Sequence, residues 1–216
     1  MRRIACVSVI ALLALAAAAA LAAPPAWIAD KKGCRVWDLS PSPGESIEWS
    51  GPCESGLANG HGVLQWYTNG KPSDRFEGDY KAGHINGHGV LAAANGDRYD
   101  GGWSNDVPSG HGVFVFASGA RYEGELVDGR YNGLGIYVSA TGNRYDGEWK
   151  DGKKSGHGSL SWANGDHFQG QFADDLPNGM GTFLANGQVY SGTWKQGCLR
   201  EGTHRVAIGV ETEKCR

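Results

Sequence analysis

Four Gly-His-Gly segments, centred on His61, His88, His111 and His157, are the first residues whose type and spacing could do chemistry. Imidazoles are common metal ligands. The segments recur at repeat spacing, however. Equivalent residues in adjacent hairpins lie about 9 to 10 Å apart, whereas the ligands of one zinc ion all lie about 2 Å from it. The expected arrangement is therefore an outward polar ladder, or a surface that gains charge near pH 6. The acids that follow successive aromatics, Glu77, Asp100, Glu123 and Asp146, raise a second possibility. Glycoside hydrolysis needs two carboxyls about 5 to 9.5 Å apart beside a cleft. A regular acidic ladder on an open face offers the spacing without the cleft. The chain also has no Gly-x-Ser-x-Gly elbow, no phosphate loop and no Cys/His pair free of the bridges expected below. The sequence predicts no enzyme, no metal and no cofactor.

Cysteine chemistry is more informative. Met1-Arg2-Arg3, the apolar run Ile4 to Leu21 and the small residues at Ala20-Leu21-Ala22 read as a secretory signal peptide over residues 1–22, so the mature chain is expected to be periplasmic or secreted. An uncleaved N-terminal helix anchored in the membrane is the runner-up, though about half of the apolar run is Ala, which drives insertion weakly. Without that segment and its Cys6, four cysteines remain: Cys34, Cys53, Cys198 and Cys215. An even number in an oxidising compartment predicts disulfides. Of three possible pairings, Cys34–Cys53 and Cys198–Cys215 would each close one end of the chain, and that pairing is expected. A four-cysteine zinc site would need CxxC-type spacing, which is absent.

The elements that carry these residues are repeats. An aromatic is followed two positions later by glycine at Trp49/Gly51, Phe76/Gly78, Tyr99/Gly101, Tyr122/Gly124, Tyr145/Gly147, Phe168/Gly170 and Tyr190/Gly192, with a 23-residue step through the middle of the array. Eleven residues after each of the first six aromatics comes Gly-x-Gly, from Gly60/Gly62 to Gly179/Gly181. In the unit that begins at Tyr145, alternation predicts a first strand through Trp149, a turn at Asp151-Gly152, a polar loop to Gly156, and a second strand from Gly158 to Trp162. A three-residue turn at Ala163-Asn164-Gly165 would set Trp162 opposite Asp166, Leu160 opposite Phe168 and Gly158 opposite Gly170. On that register the leading aromatic, its glycine, the bulky residue four later and the apolar residue fifteen later (Leu64, Leu91, Phe114, Tyr137, Leu160, Phe183) share one face. The glycines would let rings lie flat on the backbone, so that a single sheet shields itself.

The fold class expected is all-β: an elongated single-layer antiparallel meander of hairpins with disulfide-closed end caps. Its parts would be a signal peptide (1–22), N-terminal cap strands (23–48), the repeat array (49–197) and a C-terminal cap (198–216). Cys34–Asp38 and Ser46–Trp49 read as two cap strands joined by a turn at Pro41–Gly44, and Arg205–Ile208 as a final strand. The repeat core is assigned to Tyr99, Gly101, Trp103, Tyr122, Gly124, Tyr145, Gly147, Trp149, Phe168, Gly170, Tyr190, Gly192 and Trp194. Trp66, Tyr80, Phe116 and Trp162 are expected first of all to pack as core, and they are also candidates for a ligand face, because flat rings offer large contact area at low entropic cost. Net charge is −3, and more negative by two without Arg2 and Arg3, which argues against nucleic acid.

The pattern Tyr-x-Gly-x-Trp, then Gly, then Gly-x-Gly resembles MORN (membrane occupation and recognition nexus) repeats over about Trp49 to Gly197, most strongly at Tyr145–Gly152 and Phe76–Gly83. MORN repeats usually carry His before Gly-x-Gly. Here that position holds Asn59, Asn86, Ser109, Asn132, Ser155 and Asn178, and two positions later stand His61, His88, His111 and His157, with Leu134 and Met180 in the other two repeats. Taken with the signal peptide, the resemblance implies an exported bacterial-type, non-catalytic scaffold for a protein partner or homo-oligomer in the cell envelope, or alternatively a module for envelope glycan or lipid.

Overall fold

The computed structural model describes residues 24–201 and 204–215, so the expected signal peptide lies outside the described residues. The chain forms two compact units, one up to Ala117 and one from Ser118. In the first, a small sheet is built from β1 (Ala26–Ala29), β2 (Arg35–Asp38), β4 (Cys53–Glu54) and β5 (Leu57–Ala58), in the order β1-β2-β5-β4. An antiparallel meander follows, made of β3 (Glu45–Trp49), β6 (Gly60–Thr68), β7 (Lys71–Lys81), β8 (His84–Ala92), β9 (Arg98–Ser104) and β10 (Val107–Val115). The second unit is a meander of β11 (Arg121–Val127), β12 (Arg130–Val138), β13 (Arg144–Lys150), β14 (Lys153–Ser161), β15 (His167–Ala173), β16 (Leu176–Ala185), β17 (Gln188–Lys195), β18 (Cys198–Glu201) and β19 (His204–Ala207). A single 3-10 turn, Thr212–Lys214, ends it.

Register follows the turns. Between β14 and β15, Leu160 faces Phe168 and Gly158 faces Gly170, as expected. The Trp162 amide donates to Asp166 at 2.9 Å, and Gly165 takes φ +92°, where an L side chain is strained. At the opposite edge the expected polar loop is absent. Asp151 and Gly152 both have positive φ and form a two-residue turn of the kind whose twist matches its strands, so β14 begins at once with Lys153. A bulge between the Gly147 and Trp149 pairings, with Gly156 at φ +58°, absorbs the extra residues without breaking the ladder.

Within each unit both edges are laced from repeat to repeat. On one, the amide of the second turn residue donates to a carbonyl of an earlier strand, in Asp106 to Ile85 (3.0 Å), Gly152 to Tyr131 (2.9 Å) and Gly197 to Pro177 (2.8 Å). On the other, a carboxylate or amide two positions before the leading aromatic accepts from the next loop. Asp74 accepts from the Ala94 amide (2.9 Å), Asp97 from Ala117 (2.8 Å) and Asn143 from Ala163 (3.1 Å). These bonds occupy turn amides that the hairpins leave unpaired.

The N-terminal cap differs from the expected hairpin. β2 pairs with β1, while β3 pairs with β6 and starts the meander, so the two lie in different sheets. The small sheet adds cover to the aromatic face in this unit: Trp66 Nε1 donates to buried Asp38 at 3.2 Å, and Trp37, Asp38 and Leu39 enclose a cavity of about 30 Å³ with Trp66, Ile85, Leu91, Trp103 and Asp106. Both expected disulfides are present, Cys34–Cys53 and Cys198–Cys215, with Cα separations of 5.8 and 5.4 Å. Their sequence separations of 19 and 17 residues make each bridge worth about 3 kcal/mol by loop closure. Replacing Cys34 and Cys53 by Ser is expected to lower the unfolding free energy in urea by that order. An unchanged midpoint would show that the bridge constrains nothing the packing does not already fix.

Candidate functional site

Two faces of the meander differ in kind. On the inner face each of the first six leading aromatics lies over a glycine pair, one glycine from its own strand and one from the next. Thus Tyr145 covers Gly147 and Gly158, and Phe168 covers Gly170 and Gly181. The ring four positions later meets this leader edge-on and also meets the leader of the preceding repeat. Trp149 stands 5.0 Å from Tyr145 and 5.7 Å from Tyr122, and Phe172 stands 5.2 Å from Phe168 and 5.1 Å from Tyr145. Edge-to-face geometry of this kind places the positive rim of one ring on the negative face of another. Leu126 fills the corresponding position after Tyr122, and there Tyr131 stacks on Tyr122 at 3.6 Å instead.

The polar ends of these rings are also satisfied. Trp103, Trp149 and Trp194 donate Nε1–H to the carbonyls of Gly89, Gly135 and Gly181, and Tyr99, Tyr122 and Tyr145 donate to the carbonyls of Gly102, Glu125 and Glu148. Burial, followed by the charges of Glu148, Asp175 and Asp146, pushes the Tyr145 phenol well above its usual range. The folded state therefore holds this proton more tightly than the unfolded chain, and its stabilising contribution is lost as pH rises past the unfolded value near 10. Stability is expected to fall through the alkaline range with a slope that Tyr145→Phe reduces. Equal slopes in urea titrations of the two proteins would contradict this.

Most assigned core residues are buried: Tyr99, Tyr122, Tyr145, Phe168, Trp103, Trp149 and Trp194 all are, whereas Tyr190 is half-buried. Of the four rings considered for a ligand face, Trp66 and Tyr80 are only 4% and 3% exposed. They belong to the packing, Trp66 under the cap and Tyr80 between Trp49 and Phe76. Phe116 and Trp162 are half-exposed, against Phe114 and Phe183.

The outer face is polar and regular. His61, His88, His111 and His157 all point outward and are exposed. Each acid after a leading aromatic pairs with the arginine two residues before it: Arg75–Glu77 (2.8 Å), Arg98–Asp100 (2.8 Å), Arg121–Glu123 (2.6 Å) and Arg144–Asp146 (2.8 Å). His61 Nδ1 sits 3.0 Å from Asp79, and His88 Nε2 sits 3.4 Å from Asp100. Among the described residues no group of three or more His, Cys, Asp or Glu is placed to hold a metal. The residue three after the leader, not singled out in the sequence, caps the bulge amide opposite. Glu148 accepts from His157 N at 2.7 Å, and Gln171 from Met180 N at 2.9 Å. The recurrence of Asp79, Glu125, Glu148 and Gln171 at this position is the signal that could have revealed it.

A second cluster lies at the cap. His84 contacts Trp27 and Trp37, at centroid distances of 5.3 and 5.9 Å, and its Nδ1 is 2.6 Å from Asp106. Burial pushes the Asp106 carboxyl up, partly offset by His84 and by the Ile85 amide that donates to it at 2.7 Å. This cluster ties β1 and β2 to the turns that precede β8 and β10.

The disulfides suit a non-reducing setting outside the cytoplasm. Among the described residues no helix is long and apolar enough to cross a membrane. A comparison with curated proteins returns no match. Among solved structures the chain is similar to the TCP domain of Drosophila melanogaster SAS-4, determined in complex with a proline-rich motif of Ana2. The identity is 15%, the match covers 86% of this chain and 99% of that one, and the TM-score is 0.40, too loose a likeness to carry function. The MORN repeat family model matches residues 54–71, 76–98, 99–121, 122–144, 145–167 and 168–189. Those six segments take in more than half of the sequence and coincide with the ring-on-glycine repeats, so the chain belongs to the MORN-repeat family.

Proposed function

We propose that this protein is an exported, non-catalytic scaffold of the cell envelope that holds a protein partner or a second copy of itself. One observation carries the reading: the aromatic face is consumed by its own packing, which leaves the ordered outer rows and the strand edges as the surface available to a partner. Those rows repeat Arg, acid and His at regular steps, a pattern suited to an extended macromolecular contact. Recognition of envelope glycan or lipid by rings is the weaker alternative, since only Phe116 and Trp162 of the four rings considered stay half-exposed.

The test is capture of partners from envelope extract by the oxidised protein and by a variant with Arg98→Glu and Arg144→Glu. Loss of specific protein capture, with circular dichroism unchanged, is the expected result. Capture that is identical for both proteins, or retention on wall or lipid material alone, would refute the outer-face reading.

A further inference from the structure

We propose that the cavity between the β1–β2 turn and the outer side of β3 and β6 binds a small zwitterion, an amino acid or a dipeptide. Its ammonium group would meet Asp30, Glu48 and Gln65, and its carboxylate Lys31 and Lys32. The cavity measures about 360 Å³. That is the lower end of the range of small-molecule sites, about 300 to 1,000 Å³, and it suits a ligand of this size rather than a folded partner. The site goes beyond the scaffold reading and does not depend on it.

One wall is a fixed turn. Asp30 Oδ1 accepts the Lys32 and Cys34 amides, both at 2.9 Å, Gly33 takes φ +87°, and Cys34 is bridged to Cys53 at the base. Asp30 is only 8% exposed, and its Oδ2 has no partner among the described residues. A carboxylate oxygen buried to that degree is costly to leave without a donor, and a ligand donor would supply one. Lys31 and Lys32 follow in the same turn, both exposed, and among the described residues neither enters an ion pair.

The other wall comes from the outer positions of β3 and β6 and from Ser50. Glu48 Oε2 accepts the Tyr67 hydroxyl at 2.7 Å, which fixes the carboxylate and leaves Oε1 open. Gln65 Nε2 donates to the carbonyls of Trp66 and Asp74 at 2.8 and 3.1 Å, so its Oε1 remains as an acceptor. Ser50 Oγ accepts the Val63 amide at 2.8 Å and keeps its own O–H to donate.

These groups divide by sign. Asp30 Oδ2, Glu48 Oε1 and Gln65 Oε1 are three acceptors, the number that matches the three donors of an ammonium group. Lys31, Lys32 and the Ser50 hydroxyl are donors suited to a carboxylate. A simple anion would face two carboxylates, and a simple cation two ammonium groups. A molecule that carries both charges satisfies the two sets at once. Val63 adds apolar lining for a short side chain. The bridged turn and the paired strands are in place before binding, so little ordering opposes it.

Calorimetric titration of the oxidised protein with four probes tests the site. L-alanine and L-alanyl-L-alanine are expected to bind, and the tighter of the two tells a free amino acid from a peptide as the source. N-acetyl-L-alanine lacks the ammonium group and L-alaninamide lacks the carboxylate, so each should bind about ten- to a hundredfold more weakly, the worth of hydrogen bonds to one charged group. Glu48→Gln, and Lys31→Ala together with Lys32→Ala, change exposed residues and should weaken both zwitterions by a similar factor with circular dichroism unchanged. In NMR spectra of the wild type the Ser50 and Val63 amides should shift on titration. The proposal is overturned if neither zwitterion gives heat or shifts at millimolar concentration, if the blocked analogues bind as tightly as the zwitterions, or if the variants bind like the wild type. No macromolecular partner enters these titrations, so their failure leaves the outer-row contact standing.

Discussion

Gly158→Ala should be among the most damaging single-methyl changes in this protein. A Cβ on Gly158 would stand 2.5 Å from Tyr145 Oη, 2.6 Å from Cε2 and 2.7 Å from Cζ. Real Cβ contacts are not made at such distances, and the ring cannot retreat. Trp149 and Phe172 hold it edge-on at 5.0 and 5.1 Å, and its hydroxyl is fixed to the Glu148 carbonyl at 2.9 Å. Relief requires displacing β14 from β13 or ejecting the ring, so the cost is placed at the upper end of overpacking, about 3 kcal/mol. Gly165→Ala is the matched comparison. It meets nothing within 4 Å, and its penalty is only that of φ +92°, about 1 to 2 kcal/mol. Urea unfolding of the two variants should rank them in that order. The reverse ranking would mean that backbone conformation, not the room beneath the ring, explains the glycine in Gly-x-Gly.

This distinction also explains what could be read from the sequence. The spacing of Tyr145, Gly147, Trp149, Gly158 and Leu160 is a local pattern. A three-residue turn with glycine at its end fixes the pairing of Leu160 with Phe168, so fold class and register were legible. The disulfide pairing was legible as well, since each bridge closes a short loop. The stretch from Lys153 to Gly156 was not. Polar residues after Asp-Gly look like a loop, and only a bulge with positive φ at Gly156 keeps them in the ladder. The division of β2 from β3 was hidden for another reason. It depends on contacts distant in sequence, such as Trp66 with Asp38 and His84 with Trp27 and Trp37, which leave no periodic trace. Tyr80, four residues after Phe76, was by contrast legible as part of the packed face.

Trp149→Ala separates a core ring from a binding ring. The indole is 6% exposed, touches Tyr122, Tyr131 and Tyr145 at centroid distances of 5.7, 5.2 and 5.0 Å, and donates to the Gly135 carbonyl at 3.0 Å. Its removal opens a void that three tyrosines line, and it leaves the Gly135 carbonyl without its indole donor. The expected loss is about 3 to 5 kcal/mol, enough to unfold a domain of ordinary stability at moderate temperature. Trp162→Ala, at a half-exposed ring in contact with Phe183, should cost about 1 kcal/mol. Thermal unfolding of both variants therefore tests the assignment of the inner face as packing. A Trp149→Ala protein with an unchanged transition that no longer bound envelope material would make the aromatic row a recognition surface. In that case the proposed outer-face contact would lose its main support.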